Sequence, residues 1–409
     1  QKKIFSKKHL FALLIIALIL SPVLAFADAD KIFKENNKAV VVVVTYNEKG
    51  EAISQGSGFI VREDGAVVTN YHVISTVRDI KIKAGDKVLD VEGLIYIDKE
   101  NDLVILKAKG EKFPVVKLGD IEKVNIGEKV YVISSPEGLE NTVSDGILSG
   151  IREISSDKKI LQITAPISPG SSGGPVFNNN GEVIGIATFI IKEAQNLNFA
   201  MPVNLIKDKI KNKKITALKE SDIEDYKKTA EYWFYLGYAY GESGMYKEAI
   251  DSYKQAIQIN PNLADAHNNL GIAYDDLSMY KEAIESYKQA IRINPDLAEA
   301  YNNIGFAYAK SNMYKEAIES FKQAIRITPD LAEAHYNLGA EYAKSGMYKE
   351  GIKSYKQAIR INPDLAGAHY GLGLVYLMLD DIGSALEEYK ILKNLDTEMA
   401  NKLFNLIYK

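Results

Sequence analysis

A short glycine-rich run, residues 169–175 (PGSSGGP), contains the side chain best suited to nucleophilic chemistry, Ser172. Nucleophilic attack by a hydroxyl needs an exposed serine, a base that takes its proton, and donors for the oxyanion that forms. Gly170, Gly173 and Gly174 remove side chains around Ser172, so the backbone can turn tightly and direct N–H groups beside the hydroxyl. A surface turn without chemistry is the alternative interpretation. The presence of a base and an acid decides between the two.

The position of the histidines limits which base Ser172 can use. The chain has five histidines, His9, His72, His267, His335 and His369. Because the last three lie in a C-terminal repeat region, His72 is the only histidine of the domain that contains Ser172. In the G-x-S-x-G elbow of α/β-hydrolases the histidine follows the serine, so that elbow is excluded. Histidine before serine is the order of G-x-S-G-G-P serine proteases.

A third residue, an acid, must hold the tautomer of such a histidine. Several aspartates lie between the two candidates, among them Asp79, Asp86, Asp90, Asp98, Asp102, Asp120 and Asp145. Asp102 is the best candidate, because it directly precedes the apolar run Leu103–Leu106 and so lies at the end of a buried strand. Asp98 is the second candidate.

The elements that position these residues are predicted to be strands. In residues 31–212, β-branched and aromatic runs are separated by turn signals such as Glu63-Asp64-Gly65. The predicted strands are Val40–Tyr46, Gly58–Arg62, Val67–Thr69, Lys81–Lys83, Leu103–Leu106, Lys129–Ile133 and Val183–Ile191. Many short strands with turns between them indicate an all-β barrel or sandwich.

Short segments along this domain resemble the HtrA (Deg) branch of chymotrypsin-like serine proteases. They are residues 56–61 (GSGFIV), 69–74 (TNYHVI), 101–103 (NDL), 126–128 (IGE), 138–143 (GLENTV), 169–175 (PGSSGGP), 181–186 (GEVIGI) and 198–202 (NFAMP). The resemblance implies two packed β-barrels, with His72 and Asp102 on the first and Ser172 on the second. It also implies that the backbone N–H groups of Gly170 and Ser172 form the oxyanion hole.

The same resemblance implies where a substrate side chain binds. By position in the motifs, the primary pocket would be lined by Ile167, Thr188, Phe189 and Ile190. No acid occupies the position at which trypsin-like enzymes bind Lys or Arg. We therefore expect an apolar pocket that favours Val, Ile, Ala or Leu before the cleaved bond.

The chain departs from the family pattern near the nucleophile. Ser171 stands where an asparagine is usual, and Ala165-Pro166 replaces a more usual Asp-Ala. Pro166 stiffens this loop and removes one backbone donor.

Residues 1–27 have the features of an export signal. A lysine-rich start is followed by the apolar run Leu10–Leu20, and Ala25-Phe26-Ala27 fits a cleavage site after the breaker Pro22. An uncleaved membrane anchor is the alternative, because the uncharged stretch continues to Ala27. Both interpretations predict a periplasmic or extracellular protein.

The composition excludes several kinds of site. The chain has 409 residues, which predicts two or more domains, and its net charge of −4 gives no reason to expect a nucleic-acid partner. It contains no cysteine, which excludes disulfides, thiolate chemistry and cysteine-based zinc sites. No cofactor or metal is expected.

A 34-residue repeat follows residue 230. Glycines recur at 237, 271, 305, 339 and 373, and prolines recur at 261, 295, 329 and 363. With Trp233, Leu236 and Tyr240 in the first unit, this spacing is the tetratricopeptide pattern of paired helices. Five repeats are predicted, at 230–263, 264–297, 298–331, 332–365 and 366–399, with a capping helix at 400–409 and a linker at 213–229. Together with the strands, these repeats predict a multidomain fold in which a double β-barrel precedes an all-α superhelix.

Resemblance to other tetratricopeptide arrays implies that the repeats bind a protein or peptide on a concave face. Along the first helix of each repeat we place Phe234, Tyr238, Asn268, Ile272, Asn302, Phe306, Tyr336 and Tyr370 on that face. Asn268 and Asn302 are the leading candidates, because a carboxamide can donate to and accept from a peptide backbone. His267, His335 and His369 share one repeat position and are interpreted as packing residues.

The sequence therefore predicts an exported serine endopeptidase that cleaves unfolded polypeptides with His72, Asp102 and Ser172. The alternative is a catalytically silent, protease-like scaffold that acts only by binding. A homo-oligomer is compatible with both.

Overall fold

The computed structural model describes residues 29–47, 49–75, 79–135, 141–155, 158–190, 198–218, 223 and 225–408. The predicted export signal lies outside these residues. The chain divides into two compact units, residues 1–232 and residues 233–409. In the described part of the chain, no helix is both long and apolar enough to cross a membrane.

The first unit begins with a helix at residues 29–36 (α1) and a 3₁₀ turn, and then forms a closed six-stranded antiparallel barrel. Its strands are β1 (Val40–Tyr46), β2 (Ala52–Arg62), β3 (Ala66–Asn70), β4 (Asp79–Ala84), β5 (Lys87–Asp98) and β6 (Leu103–Ala108), in the order β1-β2-β3-β6-β5-β4. A single helical turn, α2 (Tyr71–Ile74), follows β3. The barrel encloses a core of β-branched and leucine side chains, including Val43, Val67 and Leu106. That composition suits a pleated, buried surface.

A second ring of six strands follows in the same unit. The strands are β8 (Lys129–Ser134), β9 (Thr142–Ser155), β10 (Lys158–Ile163), β11 (Pro175–Phe177), β12 (Glu182–Ile190) and β13 (Asn198–Pro202). β11 pairs with both β12 and β8, which closes the ring, and the short β7 (Lys117–Leu118) pairs in parallel with β12. The predicted pair of β-barrels is therefore confirmed.

Part of the segment predicted as a linker packs on the first barrel. Thr216 exchanges two backbone hydrogen bonds of 2.8 Å with Leu94 of β5. Leu218, Ile223 and Tyr226 then pack against the core cluster of that barrel. The 3₁₀ turn Tyr226–Lys228 leads through Thr229 into the first helix of the repeats. The sequence of this segment shows no strong periodicity, so its contacts could not be predicted.

The repeats form a series of consecutive helices. They are α3 (Ala230–Glu242), α4 (Tyr246–Ile259), α5 (Ala264–Asp276), α6 (Tyr280–Ile293), α7 (Ala298–Lys310), α8 (Tyr314–Ile327), α9 (Ala332–Lys344), α10 (Tyr348–Ile361), α11 (Ala366–Met378), α12 (Ile382–Leu395) and α13 (Thr397–Ile407). Consecutive helices pair, as in α5 with α6 and α7 with α8. This is the helix series that the 34-residue period predicts, and Leu403 of α13 packs against the end of the last pair.

Glycine allows the helices of a pair to approach closely. A Cβ at Gly271 would lie 2.5 Å from the ring of Tyr287, and one at Gly305 would lie 2.7 Å from the ring of Phe321. In the first four repeats, the glycine on the first helix therefore packs against an aromatic ring on the second helix of the same repeat, whereas Gly373 of the fifth repeat packs against Leu403 of α13.

Candidate active site

His72 and Asp102 come together at one end of the first barrel. His72 lies in α2, directly after β3, and Asp102 lies in the turn between β5 and β6. The His72 Nδ1 atom is 2.7 Å from Asp102 Oδ2, and the His72 backbone N–H donates to Asp102 Oδ1 at 2.9 Å. The carboxylate therefore fixes both the ring edge and the backbone of His72.

Asp102 is 3% exposed, and its side chain and backbone are held from several sides. Besides the two contacts from His72, the hydroxyl of Thr188 donates to Asp102 Oδ2 at 2.8 Å. The Asp102 carbonyl accepts from the Tyr71 N–H at 3.0 Å and from Asn70 Nδ2 at 2.9 Å. Its φ of 53° is in the left-handed region, which aspartate tolerates better than most residues. These contacts hold the Asp102 carboxylate in one orientation.

Asp98, the second candidate acid, has a different set of partners. Its carboxylate accepts from the Asn101 N–H at 3.0 Å, from Asn101 Nδ2 at 2.9 Å and from the Tyr96 hydroxyl at 3.1 Å. Burial, with the nearby Asp98 charge, raises the pKa of Tyr96 to about 12, so this hydroxyl stays a donor. Asp98 holds the turn that presents Asp102, and only Asp102 contacts His72.

Ser172 lies in the loop between β10 and β11, where glycine geometry shapes the backbone. Gly170 and Gly173 have φ values of 91° and 86°. A Cβ at Gly173 would collide with the Ser57 carbonyl and the Thr69 hydroxyl, and would lie 3.1 Å from the Asn70 nitrogen. The loop therefore packs against the end of β3, directly before the helical turn that contains His72.

The hydroxyl of Ser172 points to Thr188. Ser172 Oγ donates to the Thr188 carbonyl at 2.7 Å, and within the described part of the chain no hydrogen bond joins the His72 ring to Ser172. Because the Thr188 hydroxyl contacts Asp102, Thr188 connects all three candidates in one cluster. Proton transfer to His72 would require the Ser172 hydroxyl to rotate away from Thr188.

Two backbone donors beside Ser172 are available to an anion. The N–H groups of Gly170 and Ser172 have no acceptor among the described residues. Ser57, which is fully buried, holds the loop around them. Its hydroxyl donates to the Gly170 carbonyl at 2.8 Å, and its N–H donates to the Ser172 carbonyl at 2.8 Å. Ser57 thus holds the carbonyls on both sides of this turn.

The departure from the family pattern at Ser171 has a structural role. Ser171 is 2% exposed, its N–H donates to the Ser168 carbonyl at 2.8 Å, and its Oγ accepts from the Ser168 N–H at 3.2 Å. Ser134 also donates to Ser171 Oγ at 3.0 Å. The nearby Pro166 carbonyl accepts from Ser144 Oγ at 2.6 Å. These contacts tie the turn before Ser172 to the second barrel.

The residues predicted to line the pocket divide into several cases. Ile167 is partly buried against the core of the second barrel. The Thr188 side chain is 1% exposed and is directed at Asp102, so its contribution is to the acid and not to a pocket. Phe189 and Ile190 belong to β12, and their side chains lie outside the described residues.

Sequence reasoning missed the contributions of Ser57, Thr188 and Tyr226. The Tyr226 ring stacks on the His72 ring at 6.2 Å between centroids and 28° between planes. The motif segment at 56–61 could have indicated Ser57, whereas no local signal pointed from residue 226 to residue 72.

In the repeats, Asn268 and Asn302 are 4% and 5% exposed. Their carboxamide oxygens accept from Asn303 Nδ2 at 3.2 Å and Asn337 Nδ2 at 3.0 Å, each in the next repeat. These bonds join neighbouring repeats, which leaves a ligand little of either side chain to contact. Ile272 and Phe306, also predicted for this face, are each 41% exposed.

The repeat histidines contact the turn that precedes their helix. The Nε2 atoms of His267, His335 and His369 lie 3.1, 3.0 and 2.9 Å from the carbonyls of Pro261, Pro329 and Pro363. His369 also has Nδ1 at 2.6 Å from Glu388 Oε2.

Comparison with protein families assigns both parts of the chain. Residues 56–186 match the model of the trypsin-like peptidase domain. Residues 237–278, 276–312, 307–346 and 339–380 match the tetratricopeptide repeat model. The chain joins a trypsin-like peptidase domain to tetratricopeptide repeats.

Relatives match the peptidase domain. A protein of Pseudomonas putida named "Probable periplasmic serine endoprotease DegP-like" is 40% identical over 164 residues, which are 39% of this chain and 34% of the relative. A protein of the same name from Halomonas elongata is 39% identical over 165 residues, 39% of this chain and 35% of the relative. The chain thus spans about a third of the length of these curated relatives.

A solved structure, the serine endoprotease from Yersinia pestis, is 30% identical. The match covers 44% of this chain and 64% of that one, with a TM-score of 0.40.

Proposed function

We propose that this protein is an exported serine endopeptidase whose triad is His72, Asp102 and Ser172. The observation that carries the proposal is the buried Asp102 carboxylate bonded to His72 Nδ1 at 2.7 Å, close to a serine loop with two N–H groups that have no acceptor among the described residues. An acid on Nδ1 leaves Nε2 as the basic nitrogen of the ring. The periplasmic names of the relatives support export.

In the proposed reaction, Ser172 Oγ attacks the carbonyl carbon of a peptide bond while His72 Nε2 takes its proton. The oxyanion that forms accepts from the N–H groups of Gly170 and Ser172. His72 then gives the proton to the leaving amine, and the resulting acyl-enzyme is hydrolysed when His72 deprotonates a water. Asp102 stabilises the imidazolium in both halves.

For this sequence of steps, the Ser172 hydroxyl must leave the Thr188 carbonyl. A side-chain rotation about χ1 moves it between staggered positions. When a substrate carbonyl oxygen lies between the two N–H donors, attack requires the rotated position, in which Oγ faces the carbonyl carbon.

The substrates we propose are extended, unfolded polypeptides, with an apolar residue before the cleaved bond. Ile167 supplies apolar surface beside the loop. By motif position, the sequence predicts no acid where trypsin-like enzymes bind Lys or Arg. The repeats would recruit the polypeptide substrate or a partner protein. Because Asn268 and Asn302 are buried, we transfer the proposed ligand contact to the exposed Ile272 and Phe306.

A catalytically silent scaffold is the second candidate function. The observation in its favour is the 2.7 Å hydrogen bond from Ser172 Oγ to Thr188, which holds the hydroxyl away from His72. Hydrolysis of casein by the full-length chain, with Ser172→Ala as control, separates the two functions. We expect fragments from the wild type alone, with cuts after Val, Ile, Ala or Leu. Fragments from both proteins would indicate a contaminating protease, and intact casein in both would favour the scaffold.

A further inference from the structure

One face of the His72 imidazole is covered by a side chain from outside both barrels. Tyr226 lies in the 3₁₀ turn Tyr226–Lys228, more than twenty residues after the last strand. Its ring stacks on His72 with 6.2 Å between centroids, within the range of an offset aromatic pair. The proposed reaction assigns this tyrosine no step.

The position of Tyr226 is fixed on several sides. Its ring is 4% exposed and meets Tyr71 and Tyr232 edge to face, at 5.9 and 5.8 Å with interplanar angles of 79°. The Asp225 side chain caps the turn by accepting from the Lys227 N–H at 3.1 Å. A ring held this way can limit the motion of the imidazole that it covers.

The backbone after Tyr226 is held as firmly. Thr229 donates to the Tyr226 carbonyl through its N–H at 3.0 Å and its hydroxyl at 2.7 Å. The same hydroxyl accepts from the Tyr232 N–H at 3.3 Å in the first turn of α3. The turn that carries Tyr226 is therefore continuous with the helix that opens the repeats.

His72 needs this support because its side chain is 31% exposed. Asp102 holds the Nδ1 edge, but a contact at one edge still allows the ring plane to tilt about that contact. Tyr226 covers one face and opposes the tilt.

We propose that Tyr226 is a positioning residue for His72, so that the peptidase site is completed by the segment leading into the repeats. This inference rests on the proposed function. Tyr226 packs against the ring to keep Nε2 aimed at the nucleophile and to keep water from the Nδ1–Asp102 contact. A misplaced catalytic group can cost about 10- to 100-fold in rate even when it remains in the site.

The test compares full-length Tyr226→Ala, Tyr226→Leu and Tyr226→Phe, with rates normalised to folded protein. We expect Tyr226→Ala to lower kcat about 10- to 100-fold while KM for a short peptide changes less than about threefold. Tyr226→Phe should recover most of the loss, because it keeps the ring. Tyr226→Leu keeps apolar volume without stacking and should fall in between.

Phe113→Ala is the matched control, because Phe113 packs against the same core cluster without stacking on His72. It should lower the melting temperature and leave kcat per folded molecule unchanged. The inference is overturned if Tyr226→Ala keeps wild-type kcat, if Tyr226→Phe loses as much as Tyr226→Ala, or if Phe113→Ala lowers kcat equally.

A proton NMR measurement tests the support of His72 by Tyr226 without relying on enzymatic activity. The His72 Nδ1–H, bonded to Asp102, should give a downfield resonance that is visible in the wild type and in Tyr226→Phe, and that exchange with water broadens in Tyr226→Ala. If the wild type is inactive, the proposed function is wrong. The resonance then tests by itself whether Tyr226 supports the contact between His72 and Asp102. A resonance equally sharp in Tyr226→Ala would overturn the inference.

Discussion

At the scale of single residues, the site depends on which carboxylate faces His72. Asp98 is the last residue of β5, and Asp102 lies four residues later in the turn before β6. Asp98 binds the turn through Asn101, whereas Asp102 contacts the imidazole. The Asp98 carboxylate therefore stabilises the turn, whereas the Asp102 carboxylate orients the His72 ring.

We predict that Asp102→Asn lowers kcat by about 10³- to 10⁴-fold with a small change in KM. An amide can donate to Nδ1, which stabilises the wrong tautomer, and it cannot stabilise the imidazolium. Steady-state hydrolysis of a short peptide measures the effect.

Asp98→Asn is the control for that substitution. It keeps the shape of the turn and should reduce kcat less than about threefold, with a stability loss of about 1 kcal/mol from weaker turn hydrogen bonds. A large kcat loss in Asp98→Asn together with a normal Asp102→Asn would reverse the assignment of the acid.

At the scale of elements, the first four repeats share a close contact between a glycine on the first helix and an aromatic ring on the second. The Phe321 ring is 1% exposed, so it cannot move away from an added methyl group at Gly305. Gly241 lies in α3 with no atom within 4 Å of the corresponding position.

We predict that Gly305→Ala lowers the free energy of unfolding of the array by about 1–2 kcal/mol, because overpacking exceeds the gain in helix propensity. Gly241→Ala should instead stabilise by up to about 1 kcal/mol. Hydrogen exchange of α7 and α3 in the full chain measures both. Stabilisation by Gly305→Ala would mean that helix packing here is looser than described.

Asp275 in α5 gives the array a pH dependence. Its Oδ1 is buried and has no hydrogen-bond partner among the residues that the structure describes, and Oδ2 accepts from the Tyr287 hydroxyl at 2.9 Å. Burial raises the pKa of Asp275 to about 6, from an ordinary value of 3.8. Between these values the folded state binds more protons than the unfolded state, so stability falls as pH rises from about 4 to about 6.

We predict that Asp275→Asn stabilises the array near neutral pH, by on the order of 1 kcal/mol after allowance for solvent screening, and reduces its pH dependence. Asp296→Asn, at an exposed aspartate of the next turn, is the control and should leave the dependence intact. Unfolding curves between about pH 4 and pH 7 measure the stability of the wild type and both variants. The same pH dependence in all three proteins would contradict the prediction.

Sequence periodicity predicted some elements well and others poorly. The bounds of β1, Val40–Tyr46, were predicted in full, because a run of β-branched valines strongly favours a strand. The long strand Thr142–Ser155 was not among the predicted runs, because its exposed positions carry Asp145, Arg152 and Glu153. Its partners across the barrel, and not its own composition, make it a strand.

Within the site, the position of Asp102 directly before the apolar run Leu103–Leu106 ranked it ahead of Asp98, and Asp102 is the carboxylate that contacts His72. Contacts across long separations were not available from the sequence. Thr188 is 86 residues from Asp102, and Tyr226 is far from His72 in the chain. Likewise the burial of Asn268 depends on Asn303 in the next repeat, a pairing that a single repeat does not reveal.

At the scale of the whole molecule, the proposed division of labour is that the repeats hold a substrate that the peptidase domain cleaves. Ile272 and Phe306 occupy equivalent positions in neighbouring repeats and leave apolar surface open to solvent. Lys310 lies 5.0 Å from the Phe306 ring centre, so a bound chain would meet apolar and cationic groups together.

We predict that the double variant Ile272→Ala, Phe306→Ala raises KM for a full-length protein substrate about 30-fold, since burial of each side chain contributes roughly 1 kcal/mol and each 1.4 kcal/mol is a factor of about ten. Hydrolysis of a short peptide should not change. Ile259→Ala, at an exposed apolar residue on α4, is the matched control. Equal slowing of both substrates would mean that the array supports the peptidase fold and does not recruit.

The most direct test of the account is covalent labelling with a fluorophosphonate, read by intact mass and peptide mapping. A hydroxyl activated by His72 should form a single adduct on Ser172 of the folded chain. The adduct should be absent in Ser172→Ala and should form more than about 10³-fold more slowly in His72→Ala. A folded wild type that forms no adduct, or a His72→Ala variant that labels at the wild-type rate, would contradict the proposed triad.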